Sequence, residues 1–143
     1  MKNLSLLVFV IFIGFSSCTA KKEVTKTASL EGTWQLNYIT GPRIAFDGLY
    51  PNKKPTIVFD VNNNKVVGNN SCNQYFGTLI IDNEKINFKD AKMGMTMMAC
   101  EGNGDDLYME TLQKIESYTI TDEGKTLNFL IGGIVMMRFT REK

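Results

Sequence analysis

The sequence predicts a mostly β domain of the α+β class: a curved antiparallel sheet or partial barrel of about eight strands, with one helix. Three observations predict it. Short runs alternate apolar and polar residues, as half-buried strands do. Turns rich in Gly, Asn and Asp separate these runs closely, which implies antiparallel neighbours. One stretch, Asp105 to Glu116, switches from alternation to helical spacing.

In chain order, Thr33–Ile39 alternates, with Trp34, Leu36 and Tyr38 expected on one face. Gly41–Pro55 holds all three prolines and reads as a long loop, a kind of segment that is often functional. Thr56–Val61 is a strand and the asparagines after it a turn. A further strand starts at Lys65. Tyr75–Asp82 and Lys85–Asp90 form a hairpin. Lys92–Cys100 alternates again, with Met93, Met95 and Met97 sharing a face. In the helix, Leu107, Leu112 and Ile115 fall at core spacing, and Asp105 and Asp106 suit its N-terminus. Three last strands follow, separated by Asp122–Lys125 and by the hairpin signal Gly132-Gly133.

At 43% hydrophobic and 22% charged residues, the composition is that of a globular protein. There are 16 basic and 15 acidic side chains; without Lys2 the two are equal, so no long-range field attracts nucleic acid. Histidine is absent. Ser-His-Asp and Cys-His catalysis, His-containing zinc sites and His-ligated haem are thereby excluded.

The first 17 residues read as an export leader: Lys2 is the positive start, and Leu4 to Phe15 form an apolar run too short to span a bilayer. Ser16 and Ser17 precede Cys18, the arrangement that resembles the lipobox of bacterial lipoproteins. There the cysteine is lipidated and becomes the new N-terminus. Phe15 stands where that pattern usually has leucine. Residues 18–29 are polar and aperiodic and read as a tether. The domain then spans residues 30–143.

Export leads to an oxidising compartment, so the two remaining cysteines, Cys72 and Cys100, most simply form one disulfide. Closing that loop stabilises by roughly 3.5 kcal/mol in the chain-entropy account. An active redox pair is the competing reading, although such cysteines are usually close in sequence.

Several motifs resemble the META domain of HslJ-like bacterial lipoproteins. The matching positions are Trp34, Gly68, Cys72, Asn73, Tyr75 and Gly77, then Thr96, Met98, Ala99 and Cys100. The resemblance covers about Leu30 to Phe139. It implies a small mostly-β domain of the cell envelope, associated with heat shock and envelope stress. It brings no catalytic residues.

Three further features carry chemistry in principle. Thioethers suit Cu(I), which makes Met93, Met95 and Met97 a candidate soft-metal set beside Met98 and the pair Met136-Met137. The competing reading is that alternating methionines fill the core. Acidic pairs such as Asp105-Asp106 and Asp122-Glu123 lie at a helix start and a turn, where capping or solvation accounts for them. Gly68, Gly77 and Asn73 could meet a ligand, or serve the bends and turns of the sheet.

The sequence therefore predicts a non-catalytic lipoprotein of the envelope, with no cofactor. It is attached to the membrane through lipid on Cys18, facing the periplasm or at the outer membrane. Its role is stress-related interaction with an envelope protein, or structural. The alternatives are a small-ligand or Cu(I)-binding module using the Gly41–Pro55 loop and the methionine face, and a thiol–disulfide role.

Overall fold

The computed structural model describes residues 29–143 except Pro42. The leader, Cys18 and the tether before Ser29 lie outside the described residues. The elements are β1 (Gly32–Ile39), α1 (Phe46–Leu49), β2 (Thr56–Asp60), β3 (Lys65–Asn69), β4 (Gln74–Thr78), β5 (Ile81–Asp82), β6 (Lys85–Ile86), β7 (Gly94–Met95), α2 (Gly104–Leu112), β8 (Ser117–Thr121), β9 (Thr126–Ile131) and β10 (Ile134–Arg141). All ten strands form one antiparallel sheet in the order β5-β6-β8-β9-β10-β1-β2-β3-β4-β7. It curls into a half-barrel, as predicted; three two-residue strands raise the count above the expected eight.

The concave face holds the core. Trp34, Ile57, Phe59, Val66, Phe129 and Phe139 are fully buried there. α2 covers the opening and buries Tyr108 and Leu112 against them. In the segment between β4 and β7, Thr78 N–H donates to the Ala91 carbonyl at 2.7 Å and Asn87 N–H to the Ile80 carbonyl at 3.0 Å.

Four local differences from the expected pattern have physical causes. Tyr38 does not share the face of Trp34 and Leu36. A bulge between Leu36 and Tyr38 in the β1–β10 ladder shifts the alternation by one, so Ile39 turns inward and Tyr38 is 40% exposed beneath the Arg138 guanidinium. The expected Tyr75–Asp82 and Lys85–Asp90 strands are short, because Thr78 and Leu79 direct their N–H groups to Ala91 and Asn64 and leave the ladder. Residues 96–100 are not strand: the Met98 N–H goes to the Asn73 side chain at 2.8 Å instead of to a neighbouring strand. α2 ends at Leu112, since Lys114 and Ile115 bond three residues back, to Thr111 and Leu112, in a tighter turn.

The long loop is less irregular than expected. It contains α1, and Leu49 and Tyr50 enter the core. The Tyr50 hydroxyl donates to the Gly104 carbonyl at 3.0 Å, tying the loop to the start of α2.

Candidate functional site

The turn between β3 and β4 folds on its own asparagines. Asn69 Oδ1 accepts from Ser71 N–H at 2.9 Å, and Asn70 Oδ1 accepts from the N–H groups of Cys72 and Asn73 at 3.1 and 2.6 Å. Ser71 adopts a φ of 94°, which these bonds hold in place. The turn thereby presents Cys72 to Cys100, and the two form a disulfide with Cα atoms 5.9 Å apart. Asn73, buried between them, is the centre of the polar network. Its Oδ1 accepts from the Thr96 hydroxyl at 2.9 Å and from Met98 N–H at 2.8 Å. Its Nδ2 reaches the Cys100 sulfur at 3.1 Å and the Met98 carbonyl at 3.4 Å.

The other motif residues are explained by close approach. A Cβ on Gly68 would collide with the Tyr75 hydroxyl and the Thr56 carbonyl, so only glycine lets the Tyr75 ring cross β3. A Cβ on Gly77 would strike the Met93 sulfur, with the Ala91 carbonyl 2.9 Å away. Trp34 Nε1 donates to the Leu30 carbonyl at 2.9 Å, and the Arg141 guanidinium lies 4.0 Å over the indole. Ala99 is exposed between Met98 and Cys100. Every motif residue with a resolved partner thus serves the frame: none points a free reactive group into a cavity.

The methionines divide. Met93 packs against the core, Met137 is fully buried, and Met95 Sδ accepts from Asn70 Nδ2 at 3.4 Å. Met95 at 39%, Met97 at 90% and Met98 at 60% exposure lie outside the core, so the core-filling reading does not hold for these three. The Asp105 carboxylate lies within 4.8 Å of both disulfide sulfurs, a Cys-Cys-Asp group among the described residues. Oxidised sulfurs are not thiolate ligands, so in this state only the carboxylate is available to a cation.

Two surfaces were not anticipated. The first is an apolar row on the outer face of the sheet. Val67 and Phe76 are direct cross-strand partners, 43% and 59% exposed, and the Phe76 ring lies over Gly94 of the edge strand β7. Met97 and Met98 follow at that edge. The sequence signal is present: Val66-Val67 and Tyr75-Phe76 put apolar residues on both faces of paired strands. The second is a cleft of about 970 Å³ between the β5–β6 hairpin, the chain after α2 and the end of β9. A neighbouring cleft of about 800 Å³ lies on the β8 side of the same hairpin. The run Leu79-Ile80-Ile81, which cannot all face one core, was its sequence signal.

A curled antiparallel half-barrel, clamped by a disulfide and closed by one helix, defines a small mostly-β domain class. Within that class, the META domain matches residues 27–143, and the chain belongs to this family. The match starts three residues ahead of the domain start read from the sequence. Solved structures share the fold, among them the following three. One is an NMR structure of a protein from Burkholderia xenovorans, with a TM-score of 0.62 and 19% identity over 83% of this chain and 86% of that one. A second NMR structure has a TM-score of 0.58 and 16% identity over 78% and 89%. A crystal structure of a DUF4847 family protein from Bacteroides vulgatus has a TM-score of 0.51 and 16% identity over 82% and 96%. No curated protein matches the chain.

Proposed function

We propose that this chain is a non-catalytic envelope lipoprotein, held by lipid on Cys18 and the tether 18–29, whose META domain docks another envelope protein. The observation that carries the reading is the exposed row of Val67 and Phe76 beside the open edge of β7, with Met97 and Met98 adjoining. Large apolar side chains grouped at an unpaired strand edge favour a protein partner. The lack of histidine, and the placing of the motif residues in the frame, support a role without catalysis. The stress association implied by the resemblance gives the condition to test.

A photo-crosslinking residue is placed at Phe76, at Met97 and, as control, at Lys125 in the β8–β9 turn. Intact cells are irradiated with and without heat shock. The reading expects one common protein from positions 76 and 97 and none from 125. Equal, scattered products from all three positions would overturn it. Palmitate labelling of the Cys18→Ala variant tests the anchor, and labelling that persists would refute it.

A further inference from the structure

We propose that the reduced form of this protein binds a zinc ion through Cys72, Cys100 and Asp105, so that a metal takes over the staple which the disulfide makes in the oxidised form. This site is separate from the docking row and does not depend on it.

The donor set is already gathered. The two sulfurs and an Asp105 carboxylate oxygen all lie within 4.8 Å of one another, and all three residues are partly exposed, which leaves an ion a path of entry. Zinc is the cation that suits thiolates and a carboxylate together, in a tetrahedron whose fourth place a water can take. Once the disulfide opens, the sulfurs need only part to roughly 3.7 Å, the separation across a tetrahedral zinc. The Cα atoms of the pair, 5.9 Å apart, allow this by side-chain rotation.

Bonds other than the disulfide hold the three ligands in place. Asn70 Oδ1 accepts from the N–H groups of Cys72 and Asn73. Asn73 accepts in turn from Met98 N–H and the Thr96 hydroxyl, which ties the chain ahead of Cys100 to the turn that carries Cys72. Asp105 stands in the first turn of α2, and the Tyr50 hydroxyl fixes that turn through the Gly104 carbonyl. The two cysteines therefore stay face to face after reduction, and a preformed site costs little to fill. Asn73 Nδ2, 3.1 Å from the Cys100 sulfur, supplies the outer hydrogen bond that orients a thiolate ligand.

The exchange balances. A small dithiol passes two electrons to the disulfide and leaves as a cyclic disulfide, so that Cys72 and Cys100 become thiols. Zinc then releases both thiol protons to solvent and gains two bonds to sulfur and one to the Asp105 carboxylate.

The core closes wholly among residues Leu30 to Phe139, so the chain from residue 19 onward serves as the soluble form. Its only cysteines are the pair. It is reduced with dithiothreitol, freed of reductant without air and titrated with Co(II), the spectroscopic stand-in for zinc. The expected result is one Co(II) per chain, with thiolate charge-transfer bands and the ligand-field bands of a tetrahedral site, all abolished by zinc. Asp105→Asn, whose folding is checked in the oxidised form, keeps both thiols. It should bind zinc at least about tenfold more weakly in competition with a chelating dye. Zinc should raise the thermal midpoint of the reduced chain, or restore an unfolding transition where reduction has removed it, and leave the oxidised chain unchanged. Absence of the tetrahedral bands, or no effect of zinc on the unfolding of the reduced chain, would overturn the proposal. So would equal zinc affinity of Asp105→Asn, the mark of a plain dithiolate, or equal binding by the oxidised chain.

Discussion

The hydroxyls of Tyr75 and Tyr108 meet at 2.7 Å inside the core, joining β4 to α2. Tyr75 also donates to the Thr56 carbonyl at 3.0 Å. A phenol has one proton, so Tyr108 must be the donor to Tyr75. The order Tyr108 to Tyr75 to Thr56 links the helix, the β3–β4 hairpin and β2 in one relay. Gly68 is the gap through which it passes.

The relay makes the two tyrosines unequal. Tyr75→Phe strands both the Thr56 carbonyl and the Tyr108 hydroxyl, and should cost about 2–3 kcal/mol. Tyr108→Phe removes one donor and should cost about 1 kcal/mol. Gly68→Ala, which drives a methyl into the same hydroxyl, should cost about 3 kcal/mol. Urea midpoints of the three variants check the order; equal costs for the two phenylalanine variants would refute the relay.

The same burial sets an alkaline limit. Burial above all holds the Tyr75 and Tyr108 protons above the ordinary tyrosine value; ionised Tyr108 raises Tyr75 further, and ionised Tyr50 raises Tyr108, whose hydrogen bond with Tyr75 pulls it partly back. The unfolded chain releases these protons near pH ~10. Their contribution to stability is therefore complete below pH ~10 and falls as pH rises beyond it toward the folded values. Unfolding free energy should be level through neutral pH and decline above ~10. The double variant Tyr75→Phe/Tyr108→Phe should start lower and decline less; parallel curves would count against the assignment.

Much of the frame was legible in the sequence because alternation, turn residues and a cysteine pair are local signals. β1, β2, β9 and β10 and the Gly132-Gly133 hairpin follow from them. Tyr38 was misplaced because a bulge leaves no mark in alternation. Residues 96–100 were misplaced because the rival for their backbone groups, Asn73, lies far away along the chain. The candidate surfaces were harder still. Val67 and Phe76 become neighbours only through strand pairing, and Ile81 and Ile131 come to line one cleft only through the fold.

Asn73 should be the most sensitive polar residue in the domain. Asn73→Ala removes the acceptor of Thr96 and Met98 and the donor to Cys100 together. A loss of about 2–4 kcal/mol is expected. Thr96→Val should cost about 1 kcal/mol alone and almost nothing in the Asn73→Ala background. A double-mutant cycle by thermal or urea unfolding measures this coupling, and simple additivity would show that the two side chains act separately.

Asp105 should protect the disulfide it faces. Reduction proceeds by attack of a thiolate on one sulfur with a second thiolate leaving, so negative charge builds up at the sulfurs. The Asp105 carboxylate lies within 4.8 Å of both, where repulsion opposes that charge. Asp105→Asn removes the repulsion while keeping a side chain of the same size in the first turn of α2. Reduction by glutathione under folding conditions should become faster, on the order of tenfold at low salt. The two rates should converge at high salt, where screening weakens the repulsion in the native protein. Loss of the acidic residue from the helix start also costs about 0.3–1 kcal/mol of stability. Rates are therefore compared with the unfolding free energy of each variant, since global opening would raise both alike. A rate that rises only in proportion to lost stability, with no dependence on salt, would remove Asp105 from the protection of Cys72 and Cys100.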